Sequence, residues 1–227
     1  MRARKARILI VDDHPIVREG LVALLSRQPD FEVVGEAAGA ADALRMVKER
    51  HPNVVTVDIA LADGSGLDLI RRIAELDSEA RMLVCSLHDE SVYAERALRA
   101  GAVGYVNKQD ATQTIVQAIQ DVLSGRTYLS EGMHQLLVQR FTTGRKKSNA
   151  TGVERLSDRE LEIYELIGAG RTTTEISQLL HIGEKTVDTH RRRMKEKLGV
   201  VNNSQLASDA TRWLMEHQKS CGSSCQG

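Results

Sequence analysis

Short apolar runs alternate with amphipathic stretches through the first half of the chain. The runs are continuous and rich in β-branched residues: Ile8–Val11, Val33–Val34, Val54–Val57, Met82–Cys85 and Gly104–Val106. Continuous apolar strands are typical of a parallel sheet that is covered on both faces. Apolar residues recur at helical spacing between these runs, and parallel strands need such crossover helices. We therefore predict an α/β domain with a five-stranded, doubly wound parallel sheet.

The hydrophobic pattern changes after Arg126. Ser130 to Phe141 predicts a short helix, and the polar stretch from Thr142 to Gly152 predicts a linker. The remainder predicts four helices and no strand. Two of them begin with a capping-box spacing, Ser157 with Glu160 and Thr172 with Glu175. The other two are expected at Glu184–Leu198, stopped by Gly199, and from Ser204 to about His217.

These patterns predict two domains. The first covers residues 5–125, a linker with a short helix covers 126–155, a helical domain covers 156–218, and a disordered tail covers 219–227. The charge changes sign between the two parts. Residues 1–128 carry 16 Lys/Arg and 19 Asp/Glu, a net charge of −3, whereas residues 129–227 carry 15 and 12, a net charge of +3. The second domain is therefore the better candidate for an anionic partner.

Composition places the protein among ordinary globular proteins. Hydrophobic residues make up 41% and charged residues 27% of the 227 positions, which excludes wholesale disorder. No apolar run approaches the roughly 18–20 residues that span a bilayer, so we expect no membrane association. The apolar run Ile8–Val11 is too short for a signal peptide, and three cysteines provide no disulfide framework. We expect a cytoplasmic protein.

Polar residues follow several of the predicted strands. Asp12 and Asp13 follow the first strand, Asp58 the third, Ser86 the fourth and Lys108 the fifth. In open α/β sheets, sites form beyond the carboxyl ends of the strands. Three carboxylates gathered there favour a cation, and all-oxygen ligation suits Mg²⁺. A carboxylate nucleophile, a metal, a hydroxyl and an ammonium are the groups that formation of an aspartyl phosphate requires.

These residues lie in motifs that resemble the receiver domain of response regulators, which has a flavodoxin-like fold. The motifs are Val11-Asp-Asp-His14, Asp58, Ser86-Leu-His-Asp-Glu90 and Gly101-Ala-Val-Gly-Tyr-Val-Asn-Lys108. The domain organisation and the second half resemble the NarL/FixJ branch of that family, which carries a LuxR-type helix-turn-helix. The resemblance covers residues 5 to 217.

The resemblance implies roles for individual residues. Asp58 would accept phosphate from a sensor histidine kinase. Mg²⁺ would be held by the carboxylates of Asp12, Asp13 and Asp58 and the backbone carbonyl of Ala60. Lys108 would pair with the phosphate, Ser86 would move to it, and Tyr105 would change rotamer with Ser86. One departure is Ala62, where relatives commonly have proline, so we expect a looser loop after Asp58.

The stretch Glu184–Leu198 carries six Lys/Arg against three acidic residues. A solvated basic helix has this composition too, but a capped helix and the turn His181-Ile-Gly183 precede it, which indicates a helix-turn-helix. The core-facing positions are expected to be Val187, His190, Met194 and Leu198. Outward positions would be Thr189, Arg191, Arg192, Lys195 and Lys197. Such a recognition helix enters the major groove of double-stranded DNA.

Resemblance to the LuxR-type domain implies finer roles on this helix. Asp188, Thr189 and Arg192 would face base edges. Lys185, Thr186, His190 and Arg191 would contact the DNA backbone. The last helix would form the dimer contact. Asp188 departs from the usual lysine or asparagine and should narrow the choice of sequence, since a carboxylate repels phosphate. His181 also departs from the usual glycine and requires an unusual backbone conformation.

We therefore predict a non-enzymatic transcriptional regulator of a two-component system. It would be phosphorylated on Asp58, would bind promoter DNA as a homodimer, and RNA polymerase is a further candidate partner. We expect the unphosphorylated first domain to restrain DNA binding. One alternative is a Mg²⁺-dependent phosphatase that forms an aspartyl phosphate, although adjacent aspartates replace the Asp-x-Asp typical of such enzymes. The other is a DNA-binding regulator that works without phosphorylation. His217, Cys221 and Cys225 offer too few ligands for a closed metal site.

Overall fold

The computed structural model describes residues 5–77, 79–142 and 152–219, and of residues 140, 141, 218 and 219 it describes the backbone. Residues 143–151 of the predicted linker and residues 220–227 of the predicted tail, with Cys221 and Cys225, lie outside these ranges. The chain forms two compact units, Met1–Leu136 and Leu137–Gly227.

The first unit is a parallel sheet wound on both faces by helices. Its elements are β1 (Ala6–Val11), α1 (Pro15–Leu25), β2 (Phe31–Ala37), α2 (Ala40–Arg50), β3 (Val54–Val57), β4 (Ala60–Leu61), β5 (Gly64–Ser65), α3 (Gly66–Leu76), β6 (Arg81–Ser86), α4 (Glu90–Ala100), β7 (Ala102–Asn107) and α5 (Ala111–Leu123). Five strands pair in parallel in the order β2-β1-β3-β6-β7, which confirms the predicted fold class.

Strand length and burial follow position in the sheet. The central strand β3 is buried at all four positions, as its continuous apolar sequence predicts. The edge strand β2 is longer than the Val33–Val34 run predicts, because exposed or half-buried residues such as Glu32 and Glu36 are tolerated at an edge. The antiparallel pair β4–β5, with two residues in each strand, is not predicted by the hydrophobic pattern.

The segment after α5 adds backbone pairing to the edge strand β7. Tyr128 donates its N–H to the Val103 carbonyl at 3.2 Å, and its own carbonyl accepts from the Tyr105 N–H at 2.8 Å. Gly104 permits this approach, since a Cβ there would lie 2.8 Å from the Tyr128 carbonyl oxygen. Helix α6 follows at Glu131–Thr142, within one residue of its predicted bounds.

The second unit is helical where it is described. A short 3₁₀ turn (Gly152–Arg155) precedes α7 (Asp158–Gly168), α8 (Thr173–Leu179), α9 (Glu184–Leu198) and α10 (Asn203–Lys219). Both predicted capping boxes are present, at Ser157 and at Thr172. Gly199 ends α9 with a φ of +71°, a conformation that suits glycine. Within the described ranges, none of the helices is long and apolar enough to cross a membrane.

Candidate functional site

Five of the predicted site residues meet at one edge of the sheet. Asp12 and Asp13 follow β1, Asp58 follows β3, Ser86 is the last residue of β6, and Lys108 follows β7. The parallel register places these strand ends side by side. The backbone holds them there, because Asp58 donates its N–H to the Val11 carbonyl and Lys108 donates to the Ser86 carbonyl, both at 2.9 Å.

The Asp58 carboxylate lies between a hydroxyl and an ammonium. Asp58 is only 3% exposed, and Ser86 Oγ donates to its Oδ1 at 2.7 Å. Lys108 Nζ donates to Asp58 Oδ2 at 2.5 Å and also lies 2.7 Å from Asp12 Oδ2. A nucleophilic oxygen is therefore placed next to two groups that can stabilise negative charge on an incoming group.

Lys108 remains charged although its side chain is only 5% exposed. Burial by itself lowers the pKa of this ammonium, but attraction by Asp58 and hydrogen bonds to Asp12 and Asp58 outweigh burial and raise the pKa above its usual value. The neighbouring thiol of Cys85 is buried, and burial raises its pKa to about 12. Cys85 is accordingly a neutral core residue beside the site.

The acidic residues carry more negative charge than their lysine neutralises. One oxygen or nitrogen from each of Asp12, Asp13, His14 and Asp58 lies within 4.8 Å of the others. His14 Nδ1 lies 2.7 Å from Asp13 Oδ1 and 3.3 Å from Asp12 Oδ1. Three carboxylates face one ammonium, and carboxylate oxygens are the ligands that Mg²⁺ prefers. The residues at this edge therefore fit a divalent cation.

Ala60 and the glycine that ends the following hairpin belong to the surroundings of Asp58. Ala60 is exposed in β4, two residues beyond Asp58. Gly66 donates its N–H to the Ile59 carbonyl at 2.7 Å, and a Cβ on Gly66 would lie 2.0 Å from the Asp58 carbonyl oxygen. Glycine is thus required for the hairpin to fold back onto the backbone of Asp58. The glycines at 64 and 66 are the sequence signal that could have indicated this turn.

Tyr105 is held inward in this structure. It is 2% exposed, and its hydroxyl donates to the His88 carbonyl oxygen at 2.8 Å. Burial, followed by the charge of Asp58, raises the pKa of Tyr105 well above its usual value, so the phenol stays protonated. The ring therefore packs beside the strand that ends at Ser86 and contacts the loop leading into α4.

In the second unit, α8, a short turn and α9 form a helix-turn-helix. His181 in the turn has a φ of +51°, the unusual backbone expected from its sequence. Val187 and Met194 are buried and anchor α9. His190 and Leu198, which are predicted to face the core, are only half-buried. Burial lowers the pKa of His190, which favours its neutral form.

Most residues predicted to meet base edges lie on the outer face of α9. Asp188 and Arg192 are exposed, whereas Thr189 is half-buried and its hydroxyl donates to the Lys185 carbonyl. Arg192 Nη1 donates to Glu196 Oε1 at 2.8 Å. The exposed guanidinium of Arg192 is therefore free to reach DNA once this surface ion pair opens, which costs little.

The residues predicted to contact the DNA backbone divide into two sets. Lys185 and Thr186 are exposed in the first turn of α9. His190 and Arg191 are half-buried, and His190 Nδ1 and Arg191 Nε are buried without a hydrogen-bond partner within the described part of the chain. The first set is accessible along its length, whereas only part of each side chain in the second set reaches the surface.

The position of Lys197 shows that one prediction was wrong, namely that its side chain projects outward from α9. It does not project outward, because its ammonium lies 2.5 Å from Oε2 of Glu160, which is 2% exposed. Glu160 also accepts from the Ser157 N–H at 2.7 Å in the capping box. The carboxylate therefore ties the start of α7 to the last turn of the recognition helix, where helical spacing alone placed Lys197 in solvent.

Comparison with known families matches both units. Residues 8–120 match the response regulator receiver domain, and residues 154–210 match the luxR family of bacterial regulatory proteins. The chain is 35% identical to the transcriptional regulatory protein MctR of Rhizobium johnstonii, over 94% of each chain. It is 34% identical to the oxygen regulatory protein NreC of Staphylococcus aureus, over 90% of this chain and 96% of that protein.

Solved structures show the same similarity. A LuxR-family two-component response regulator from Aurantimonas sp. SI85-9A1 is 40% identical, with a TM-score of 0.57. The comparison covers 61% of this chain and 99% of that chain. RcsB of Salmonella enterica serovar Typhimurium, bound to promoter rprA in the presence of phosphomimetic BeF₃⁻, is 25% identical with a TM-score of 0.66. That comparison covers 92% of this chain and 99% of the RcsB chain.

Proposed function

The chain belongs to the two-component response regulators that join a receiver domain to a LuxR-type DNA-binding domain, and we propose that Asp58 is the residue through which it is switched. The observation that carries this proposal is the buried Asp58 carboxylate between Ser86 Oγ and Lys108 Nζ. We place the receiver domain at residues 5–125, the linker at 126–155 and the DNA-binding domain at 156–218.

Phosphoryl transfer follows from this arrangement. A carboxylate oxygen of Asp58 attacks the phosphorus of a phosphohistidine on a sensor kinase. The new O–P bond forms as the P–N bond breaks, and the electron pair of that bond leaves with the imidazole. Lys108 then exchanges its contact with Asp58 for one with a phosphoryl oxygen, which neutralises charge that the transfer places at this edge.

The acidic residues supply the cation-binding side of the same site. Asp12, Asp13 and Asp58, with the backbone carbonyl of Ala60, would hold Mg²⁺. When bound, Mg²⁺ supplies positive charge that offsets the phosphoryl oxygens. The chain's own part is to keep three carboxylates close together despite their repulsion. Lys108 contacts Asp12 and Asp58, and His14 contacts Asp13.

Ser86 and Tyr105 convert the chemical change into a structural one. The Ser86 hydroxyl bonds Asp58 in this structure, and it would move to a phosphoryl oxygen once one is present. Tyr105, whose hydroxyl contacts the His88 carbonyl in this structure, would change rotamer together with Ser86. Because the contact between Ser86 and the phosphoryl oxygen forms only in the phosphorylated arrangement, phosphate shifts an existing equilibrium between two conformations.

The output is binding of promoter DNA by α9. Asp188, Thr189 and Arg192 would face base edges, and Lys185, Thr186, His190 and Arg191 would contact the DNA backbone. The likeness to RcsB in complex with promoter DNA supports this docking. We place the dimer contact on α10 and include RNA polymerase as a further partner. A regulator of this kind works in the cytoplasm, where bacterial promoters are.

Phosphorylation on Asp58 is tested by incubating the full chain with acetyl phosphate and Mg²⁺ and measuring its mass. We expect one added phosphoryl group on the wild type and on the exposed control Asp68→Asn, and none on Asp58→Asn. Binding to fragmented genomic DNA, followed by sequencing, should show inverted half-sites enriched only with the phosphodonor. Equal enrichment in Asp58→Asn would instead support regulation without phosphorylation.

The same phosphorylated protein can be used to distinguish a response regulator from a phosphatase. We propose that the chain is phosphorylated once per activation and does not turn over phosphomonoesters. Many cycles of phosphate release per molecule from a phosphomonoester would overturn this part of the proposal and favour the phosphatase alternative.

A further inference from the structure

We propose that Asp63 is a positioning residue for the cation-binding side of the phosphoacceptor site. It fastens the β4–β5 hairpin, which follows Asp58, to the N-terminus of α2. This inference rests on the function proposed above, since it concerns the loop that carries Ala60.

The contact is a helix cap supplied from a distant part of the chain. Asp63 Oδ1 accepts from the Ala40 N–H at 2.8 Å, and Oδ2 accepts from the Ala41 N–H at 3.2 Å. The first N–H groups of a helix have no partner within the helix, and the helix dipole favours a carboxylate there. Gly39, the N-cap residue, has no side chain that could do this. Asp63 therefore satisfies two N–H groups that local sequence leaves open.

Gly39 makes room for this contact. A Cβ on Gly39 would lie 2.6 Å from all three carboxyl atoms of Asp63. Such a distance is below van der Waals contact, so a larger residue at position 39 would push the carboxylate off the helix. Gly39 and Asp63 thus fit each other although α2, β3 and β4 lie between them in the sequence.

The fastening matters because the hairpin itself is short. Ala62 replaces the proline expected there, and the hairpin strands have only two residues each. Its base is held by the Gly66 N–H to Ile59 carbonyl bond at 2.7 Å. Ala60 lies between that base and Asp63. Tying the tip to α2 therefore limits the conformations open to the Ala60 carbonyl, which keeps this ligand in place before a cation arrives.

The experiment measures Mg²⁺ binding to the full chain by isothermal titration calorimetry. Asp63→Ala should raise the Kd for Mg²⁺ by about fivefold, because a free hairpin is in its competent conformation for only part of the time. Asp42→Ala is the matched control. It removes an exposed acidic residue from the first turn of the same helix without touching the hairpin, and its Kd should equal that of the wild type.

Kinetics with acetyl phosphate provide a second readout. Asp63→Ala should be phosphorylated more slowly at low Mg²⁺ and at the wild-type rate at saturating Mg²⁺, because Asp63 does not touch the reacting atoms. A lower rate at saturating Mg²⁺, with unchanged Mg²⁺ affinity, would contradict a role in positioning the cation ligands.

Gly39→Ala tests whether the contact itself is responsible. Alone, it should raise the Kd for Mg²⁺ about as much as Asp63→Ala. In the Asp63→Ala background it should add nothing, since there is no carboxylate left to displace. Additive effects, or a wild-type Kd in Asp63→Ala, would overturn the proposal. If the wild type itself neither bound Mg²⁺ nor took up phosphate, the proposed function would fail instead, and the two failures are thereby distinguished.

Discussion

At the scale of single residues, the outer face of α9 balances attraction to DNA against selectivity. Arg192 is exposed and pairs with Glu196 one turn along the helix, while Asp188 is exposed one turn before it. Carboxylates repel phosphate, so Asp188 and Glu196 lower the affinity of any binding that depends on the DNA backbone alone. An arginine that binds a base in the major groove can recover the loss of its surface ion pair, which is worth only about 0.3–0.5 kcal/mol.

Replacing Arg192 should therefore affect specificity. Arg192→Ala is expected to cost about 1–3 kcal/mol on the best DNA site and to relax the preference at one base position. Lys185→Ala is the comparison, and it should weaken all sites alike and lower the salt slope by about one. Fluorescence anisotropy with a panel of singly substituted sites, at several salt concentrations, measures both. Uniform weakening by Arg192→Ala would make it a phosphate contact.

At the scale of elements, the Glu160–Lys197 pair decides how firmly the recognition helix is held. Burial would raise the pKa of Glu160, but hydrogen bonds from Lys197 and Ser157 outweigh burial and lower the pKa below 4.5. A carboxylate whose pKa is lower in the folded protein adds stability above the pKa of the unfolded chain. This stability is lost as the pH falls through the folded value.

Glu160→Gln should destabilise the second unit by about 1–2 kcal/mol at neutral pH, through the loss of the Lys197 pair and part of the cap. The difference from wild type should shrink as the pH falls below 4.5, the ordinary pKa of this carboxyl. Trp213, the single tryptophan, packs against Tyr164 of the same unit and reports its unfolding in urea. The exposed control Glu196→Gln should stay within about 0.5 kcal/mol of wild type at every pH. A difference that stays constant with pH would contradict the role of ionised Glu160.

At the scale of the whole molecule, two compact units divide the chemistry. The first gathers the acidic edge, where we propose phosphorylation, at one end of its sheet, and the second carries the helix-turn-helix on a separate core. A helix-turn-helix monomer reaches one half-site, so joining two copies converts the second contact with DNA into an intramolecular event. Under the function proposed here, control of dimer formation would be sufficient to control promoter occupancy.

We accordingly expect the phosphodonor to change the oligomeric state. With BeF₃⁻ and Mg²⁺, sedimentation velocity should show a dimer, and affinity for an operator with two half-sites should rise by about 100-fold. Affinity for a single half-site should remain unchanged, which serves as the internal control. A monomer under both conditions, with affinity rising equally on one and two half-sites, would point to release of α9 without dimerisation.

Local sequence signals were sufficient for much of this protein. Continuous apolar runs locate the five parallel strands, because burial on both faces favours apolar residues; the edge strand β2 extends beyond its run to exposed glutamates. The capping boxes at Ser157 and Thr172 and the glycine at Gly199 mark helix ends, because caps are satisfied within a few residues. Residues that follow strands were grouped correctly at one edge, since strand ends in a parallel sheet point the same way.

Contacts between distant residues could not be read from the same signals. The cap that Asp63 provides for α2 and the inward turn of Lys197 toward Glu160 each join residues far apart in sequence. Helical spacing predicts the direction of a side chain on its own helix. It carries no information about the other elements that pack beside that helix. Local patterns are thus sufficient for the fold class, the two capping boxes and the residues of the acidic edge. Which carboxylate meets which N–H or ammonium depends on how separate elements pack, so these pairings are visible only in the folded protein.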